Sequence, residues 1–309
     1  MYDTVNFWIY RAMVGGDPFT IAQYLTDQAE HNSARGYSIS GRAGDYLLYL
    51  NESGITMKGS LPKFLLPDNI HTLSRAGARD AIEKLSDEIH LPIKLAKVTR
   101  VDVSTVLPMK REPAEYYPLL GNKPHFQRLQ ATKTTLYYNT IKKQLIFYDK
   151  KVEAKAKGVT IPAGFESANL MRIEARYTER LQKQFNLSEV TGATLTDERF
   201  YIDTVKRWGN EYFSINKLKS VSIMDTSNIK TPKEGAAALF SMMLQEKGQE
   251  YINSFIADLR AKNTYPDPKY YSRLKDELNS LIVASTATDQ NELITELDKA
   301  VNEIVLNCR

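Results

Sequence analysis

The sequence predicts an α+β protein: a central, mostly antiparallel β-sheet with helices packed on one face, followed by a helical C-terminal region. Segments alternating apolar and polar residues recur between residues 2 and 177, which is the period of half-buried strands. After residue 191 strand patterns thin out and helical stripes replace them. The 309 residues, 42% hydrophobic and 25% charged, are enough for a large core and match ordinary folded domains. We therefore divide the chain into a first unit, 1–190, and a mainly helical second unit, 191–309.

Residues 2–10 and 37–39 read as short strands. Between them, Asp17-Pro18-Phe19 precedes Thr20-Ile21-Ala22-Gln23, whose spacing is that of a capping box, and a first helix is expected to run to about residue 30. Residues 46–50 and 54–58 alternate around the turn Asn51-Glu52-Ser53 and form a predicted hairpin. Ala78, Ile82, Leu85 and Ile89 recur at helical spacing, predicting a helix over 74–89. Strands are expected over 97–106, over a hairpin of 134–139 with 144–150, and over 170–177. The stretch 108–124 is rich in proline and tyrosine, has no period, and reads as a surface excursion. Helices are expected over 234–260, 268–282 and 289–305, the last with Leu293, Leu297, Val301 and Ile304 in one stripe.

Composition excludes several function classes. No segment approaches the apolar run of a membrane span, and the first ten residues read as a strand rather than a secretory leader, so a cytoplasmic protein is expected. The only cysteine, Cys308, permits neither an intramolecular disulfide nor a cysteine-rich metal site. His31, His71, His90 and His125 are scattered without metal-binding spacing, and no glycine loop cradles phosphates, which disfavours an NTPase. The net charge of +4 is compatible with a polyanionic partner without requiring one. Lys206 with Arg207, and Lys217 with Lys219, are basic pairs of the second unit that could touch such a partner or simply be solvated.

Side chains of a strand alternate between faces, so each central strand splits into two sets. In 99–104 the valines share one face and Arg100, Asp102 and Ser104 the other; in 145–150, Leu145 and Phe147 oppose Ile146, Tyr148 and Lys150; in 171–176, Met171, Ile173 and Ala175 oppose Arg172, Glu174 and Arg176. If these strands are neighbours, one phenol is ringed by ions. That suits phosphodiester chemistry, because tyrosine, with an ordinary pKa of about 10, attacks poorly near neutrality without a cation, base or metal beside it. Lys150 supplies charge, Asp102 and Glu174 offer hard oxygen ligands for Mg2+ or Mn2+, and Arg172 and Arg176 could clamp phosphate oxygens. Tyr137 reads either as strand packing or as a base-stacking platform. A solvated sheet face with cross-strand ion pairs produces the same alternation.

Three stretches taken together, Thr99-Arg100-Val101-Asp102, Leu145-Ile146-Phe147-Tyr148-Asp149-Lys150-Lys151-Val152-Glu153 and Met171-Arg172-Ile173-Glu174-Ala175-Arg176, resemble the filamentous-phage gene II/X replication initiators and, more distantly, rolling-circle plasmid initiators. The likeness spans roughly the first 190 residues, including the opening Met1-Tyr2-Asp3 and the stretch 55–63. The resemblance implies rolling-circle initiation: a site-specific nick in one strand of replicative DNA, a 5′-phosphotyrosine intermediate and a later rejoining. Tyr148 falls on the nucleophile position, with Lys150 and Glu153 on the residues that follow it. On this reading 1–190 is the DNA-nicking domain; the chemistry of the strand face makes Asp102 and Glu174, which fall on acidic positions of the flanking strands, the expected metal ligands, and Arg100, Arg172, Arg176, Lys151 and Tyr137 the expected DNA contacts. Host helicase and polymerase are implied partners. A catalytically inactive DNA-binding regulator and a relaxase-like mobilisation protein are the alternatives.

Overall fold

A computed structural model describes residues 1–34, 36–66, 68, 70–217, 229–284 and 292–308. Its strands are β1 (Tyr2–Tyr10), β2 (Thr26–Ser33), β3 (Gly36–Ala43), β4 (Tyr46–Asn51), β5 (Gly54–Ser60), β6 (Lys97–Met109), β7 (Gln127–Thr132), β8 (Thr135–Asn139), β9 (Lys143–Asp149) and β10 (Asn169–Tyr177). Among the described residues they form one ten-stranded sheet, ordered β2-β3-β4-β5-β1-β6-β10-β9-β8-β7, with neighbours antiparallel throughout.

Short helices α1 (Arg11–Val14) and α2 (Leu61–Leu65) follow β1 and β5. The longer α3 (Arg75–Ile89) starts at Ser74, whose hydroxyl accepts from the Gly77 amide at 3.1 Å, and it buries Ala78, Ile82, Leu85 and Ile89 as their spacing predicts. Further along come α4 (Pro113–Tyr116), α5 (Lys150–Ala156), α6 (Leu181–Phe185), α7 (Gly192–Thr196), α8 (Glu198–Phe213), α9 (Pro232–Ala261), α10 (Lys269–Ala284) and α11 (Glu292–Leu306). No helix of the described residues is long and apolar enough to cross a membrane.

One apolar cluster joins the inner face of the sheet, with Val5, Phe7, Val101, Phe147 and Ile173, to α3, α8 and α11. The core therefore does not divide at residue 190: Trp208 of α8 and Leu297 and Val301 of α11 are fully buried in it. A second, small core lies between α9 and α10, around Leu244, Ile252, Ile256, Tyr271 and Leu278.

Local sequence sets the register of the β4–β5 hairpin. Asn51 Oδ1 accepts from the amides of Ser53 and Gly54 at 2.9 and 3.1 Å, closing the turn. Gly54 has a φ of +152°, and a Cβ there would stand 2.1 Å from the Ile9 carbonyl oxygen, so glycine alone lets β5 lie against β1 at this point.

Two expectations are corrected. The helix expected to reach residue 30 is a 3₁₀ turn, Pro18–Tyr24, capped by the Asp17 side chain; the chain then enters β2, an edge strand exposed along its length. Its residues Thr-Asp-Gln-Ala-Glu-His-Asn-Ser have no apolar period because neither face of β2 is buried. The stretch 108–124 is not a surface excursion. Tyr116, Tyr117, Leu119 and Leu120 are buried, and the tyrosines satisfy their hydroxyls at Glu296 Oε2 (2.7 Å) and the Thr134 carbonyl (3.0 Å).

Candidate active site

The outward face of the central strands collects the ionic residues. In the ladders of β10, Arg172 stands opposite Tyr148 and Val106, Glu174 opposite Ile146 and Ser104, and Arg176 opposite Gln144 and Asp102. A register shift in β1 between Tyr2 and Val5 turns Asp3 toward this face while Tyr2 and Val5 both stay in the core. Asp3 accepts from Ser60 Oγ at 2.7 Å and pairs with Arg172. Sequence reasoning missed Asp3; the broken alternation of Tyr2-Asp3-Thr4-Val5 was the available signal.

These charges are buried, not spread on a solvated face. Asp102 is 0% exposed, Arg172 2% and Glu174 5%. Burial of this kind requires pairing, and the pairs form a chain across the sheet. Arg100 grips Asp102 with Nε and Nη2, Arg176 Nε approaches Asp102 Oδ2 at 3.4 Å, and Arg176 Nη2 donates to Glu174 Oε1 at 2.8 Å. Arg172 Nη2 donates to Asp3 and, at 2.7 Å, to Ser104 Oγ.

Tyr148 is half-buried at the end of β9, and its hydroxyl donates to Glu174 Oε2 at 3.4 Å. It faces a cleft of about 470 Å³ whose walls include Asp3, Thr135, Tyr137, Glu153, Glu174 and Arg176. Burial pushes its pKa above the ordinary tyrosine value; Arg172 opposes the shift, and the carboxylates of Glu174, Asp3 and Glu153 add to it.

Asp149 ends the strand and caps α5, accepting from the amides of Lys151 and Val152 at 2.8 and 3.0 Å. Lys150 is therefore the first residue of a helix, not the strand residue expected from alternation. It is buried, and its Nζ donates to Glu153 Oε2 at 2.7 Å. Burial and the Arg172 charge hold its pKa below the ordinary lysine value, although Glu153 and Asp3 counteract them.

The expected DNA contacts separate into two groups. Tyr137 and Arg176 line the cleft and Arg100 is part-exposed on Asp102, whereas Arg172 is enclosed and its guanidinium is engaged with Asp3 and Ser104. Lys151 lies on α5 with its ammonium on the Glu166 carbonyl at 2.6 Å. In the second unit Lys206 and Arg207 are exposed, Lys217 donates to the Tyr212 and Ile215 carbonyls, and Lys219 lies outside the described residues.

Asp102 and Glu174 were expected to share a metal ion. Both Asp102 oxygens are held by Arg100, and Glu174 Oε1 by Arg176. Among the described residues no three His, Cys, Asp or Glu side chains converge as a metal-binding group. This donor set, satisfied by guanidinium groups, does not fit a divalent ion as arranged.

The family model for the N-terminal part of the replication-associated gene II protein of filamentous phages matches residues 1–210. The chain belongs to this family. The match covers the whole sheet and most of α8, so this replication-associated unit continues past residue 190, as the shared hydrophobic core does. No curated protein matches the chain.

Proposed function

We propose that this replication-associated protein is a rolling-circle initiator that nicks and rejoins one DNA strand, with Tyr148 as nucleophile. The observation that carries the reading is the position of Tyr148: a phenol on an open cleft, opposite Arg172 and hydrogen-bonded to Glu174 at 3.4 Å.

In the proposed step Tyr148 Oη attacks the scissile phosphorus and the bond to the 3′ oxygen breaks. A 5′-phosphotyrosine forms, and the departing 3′ oxygen takes up a proton. Glu174 Oε2 is the base within reach of the phenolic proton. Arg172, opposite Tyr148, stabilises the phenolate, and the part-exposed Arg176 offers donors to the phosphate oxygens. Attack of a 3′ hydroxyl on the phosphotyrosine reverses the bonds and rejoins the strand.

The test is incubation of supercoiled origin-containing DNA with the full chain in Mg2+, in Mn2+ and in chelator. Open-circular product and a denaturant-stable DNA adduct are expected from the parent, with both reduced roughly a thousandfold or more in Tyr148→Phe. An adduct retained by Tyr148→Phe, or mapped to another residue, refutes the assignment; the chelator arm reads metal dependence directly.

A further inference from the structure

The far half of the same sheet face has no part in the chemistry above, yet it has a distinct composition. The outward positions of β3, β4, β5 and β1 beyond the bulge carry no carboxylate, while they include Arg42 and Lys58. The ladders align Arg42, Leu47, Lys58, Asn6 and Arg100 in one row across five strands. In the adjacent row, Thr56 lies between Tyr49 and Trp8. Both rings are half-exposed, and by strand spacing they stand roughly 10 Å apart. Lys58 Nζ lies 5.2 Å from the Tyr49 ring centroid, and the exposed Tyr10 meets Trp8 edge-on at 5.8 Å. The α3, α8 and α11 helices pack against the opposite face.

Rings spaced across a strand surface, with cations in the row beside them and no carboxylate to repel phosphates, are what an unpaired nucleic-acid strand requires. Bases stack on the rings in any sequence, and the cations follow the backbone. A duplex hides its base faces and cannot use the rings. The row containing Arg100 leads, about 7 Å further along the strands, to the row of Asp102 and Arg176, and Arg176 lines the cleft. We infer that Trp8, Tyr49 and Lys58 form a stacking platform for single-stranded DNA, which holds the strand leading into or away from the Tyr148 cleft. This rests on the nicking reading for the identity of its ligand.

The chain carries two tryptophans, and Trp208 is fully buried, so DNA quenching of intrinsic fluorescence reports on Trp8. The probe is an oligothymidylate of about 20 nucleotides, longer than the ~4–16-nucleotide footprint of a single-strand-binding fold. Titrated into the full chain, it should quench emission. A duplex of equal length should bind more weakly without quenching. Trp8→Phe should abolish the quenching while anisotropy still detects binding, and Tyr49→Ala and Lys58→Ala should each weaken binding about tenfold. Melting curves identify any variant that fails to fold, and Trp8→Phe, the mildest change, keeps the test open. Quenching that survives Trp8→Phe, duplex binding as tight as single-strand binding, or a clear preference for RNA of matching sequence overturns the inference. Tyr148→Phe should quench as the parent does, so a failure of the nicking reading is separable from a failure of this one.

Discussion

Arg172 stands directly opposite Tyr148 in the β9–β10 ladder and is fixed from behind by Asp3 and Ser104. Its charge is the main influence opposing burial at the Tyr148 hydroxyl. Its guanidinium places Nη2 on Asp3 and Ser104 while Nε lies 3.8 Å from Glu174 Oε2, a spread that a single lysine ammonium cannot reproduce. Arg172→Lys should slow adduct formation roughly tenfold, equivalent to a change of about one pKa unit in the phenol. Because burial keeps that phenol titrating above neutrality, the deficit should be constant across the neutral range. An unchanged rate in a folded variant sinks the assignment.

Glu174 accepts from Tyr148 on one oxygen and from Arg176 on the other. Glu174→Gln keeps the shape and removes the base, so single-turnover adduct formation should fall about 10²- to 10⁴-fold. Binding of a single-stranded oligonucleotide, measured by anisotropy, should be preserved. Nicking at the parental rate would exclude Glu174 as the proton acceptor.

Glu211 holds two lysines against the core, Lys123 at 2.9 Å and Lys143 at 2.7 Å. Burial pushes its carboxyl up, but hydrogen bonds from Lys143 and Lys123 outweigh this and hold it below its ordinary value. Glu211→Ala leaves the buried Lys123 without its counter-charge and should destabilise by about 3 kcal/mol in denaturant titrations. A depressed carboxyl contributes stability above its unfolded pKa and loses it as pH falls through the folded one. The gap between parent and variant should therefore narrow in acid; a pH-independent gap contradicts the ion-pair account.

Asp102 shifts the other way, since burial first, then the neighbouring Glu174 charge, raise it to about 7 against the pull of Arg100 and Arg176. A carboxyl raised on folding favours the folded state when protonated, so this contribution is present in acid and lost as pH rises through about 7. Asp102→Asn, which resembles the protonated carboxyl, should be no less stable than the parent near neutrality and should show a flatter dependence of melting temperature between about pH 4 and pH 7. An equally steep profile would mean that Asp102 titrates normally.

The amino-acid pattern alone separates the core-facing from the outward residues of β6, β9 and β10, because a two-residue period with one face in the core leaves no other register, whereas the bulge at the start of β1 breaks that period. The pattern also determined α3 and α11, whose stripes become Ile82, Leu85, Leu297 and Val301 in the core. Tertiary structure decided the rest. The edge strand β2 gains its conformation only from pairing with β3, and the tyrosines of 116–117 are buried only because α11 and the β7–β8 turn supply hydroxyl partners. At the site, alternation brought Asp102, Tyr148, Arg172, Glu174 and Arg176 to one face but could not reveal their depth. Desolvation depends on what lies above a sheet, and there Asp3, Arg100 and α5 turn an expected ring of free ligands into a closed chain of ion pairs around one exposed phenolic edge.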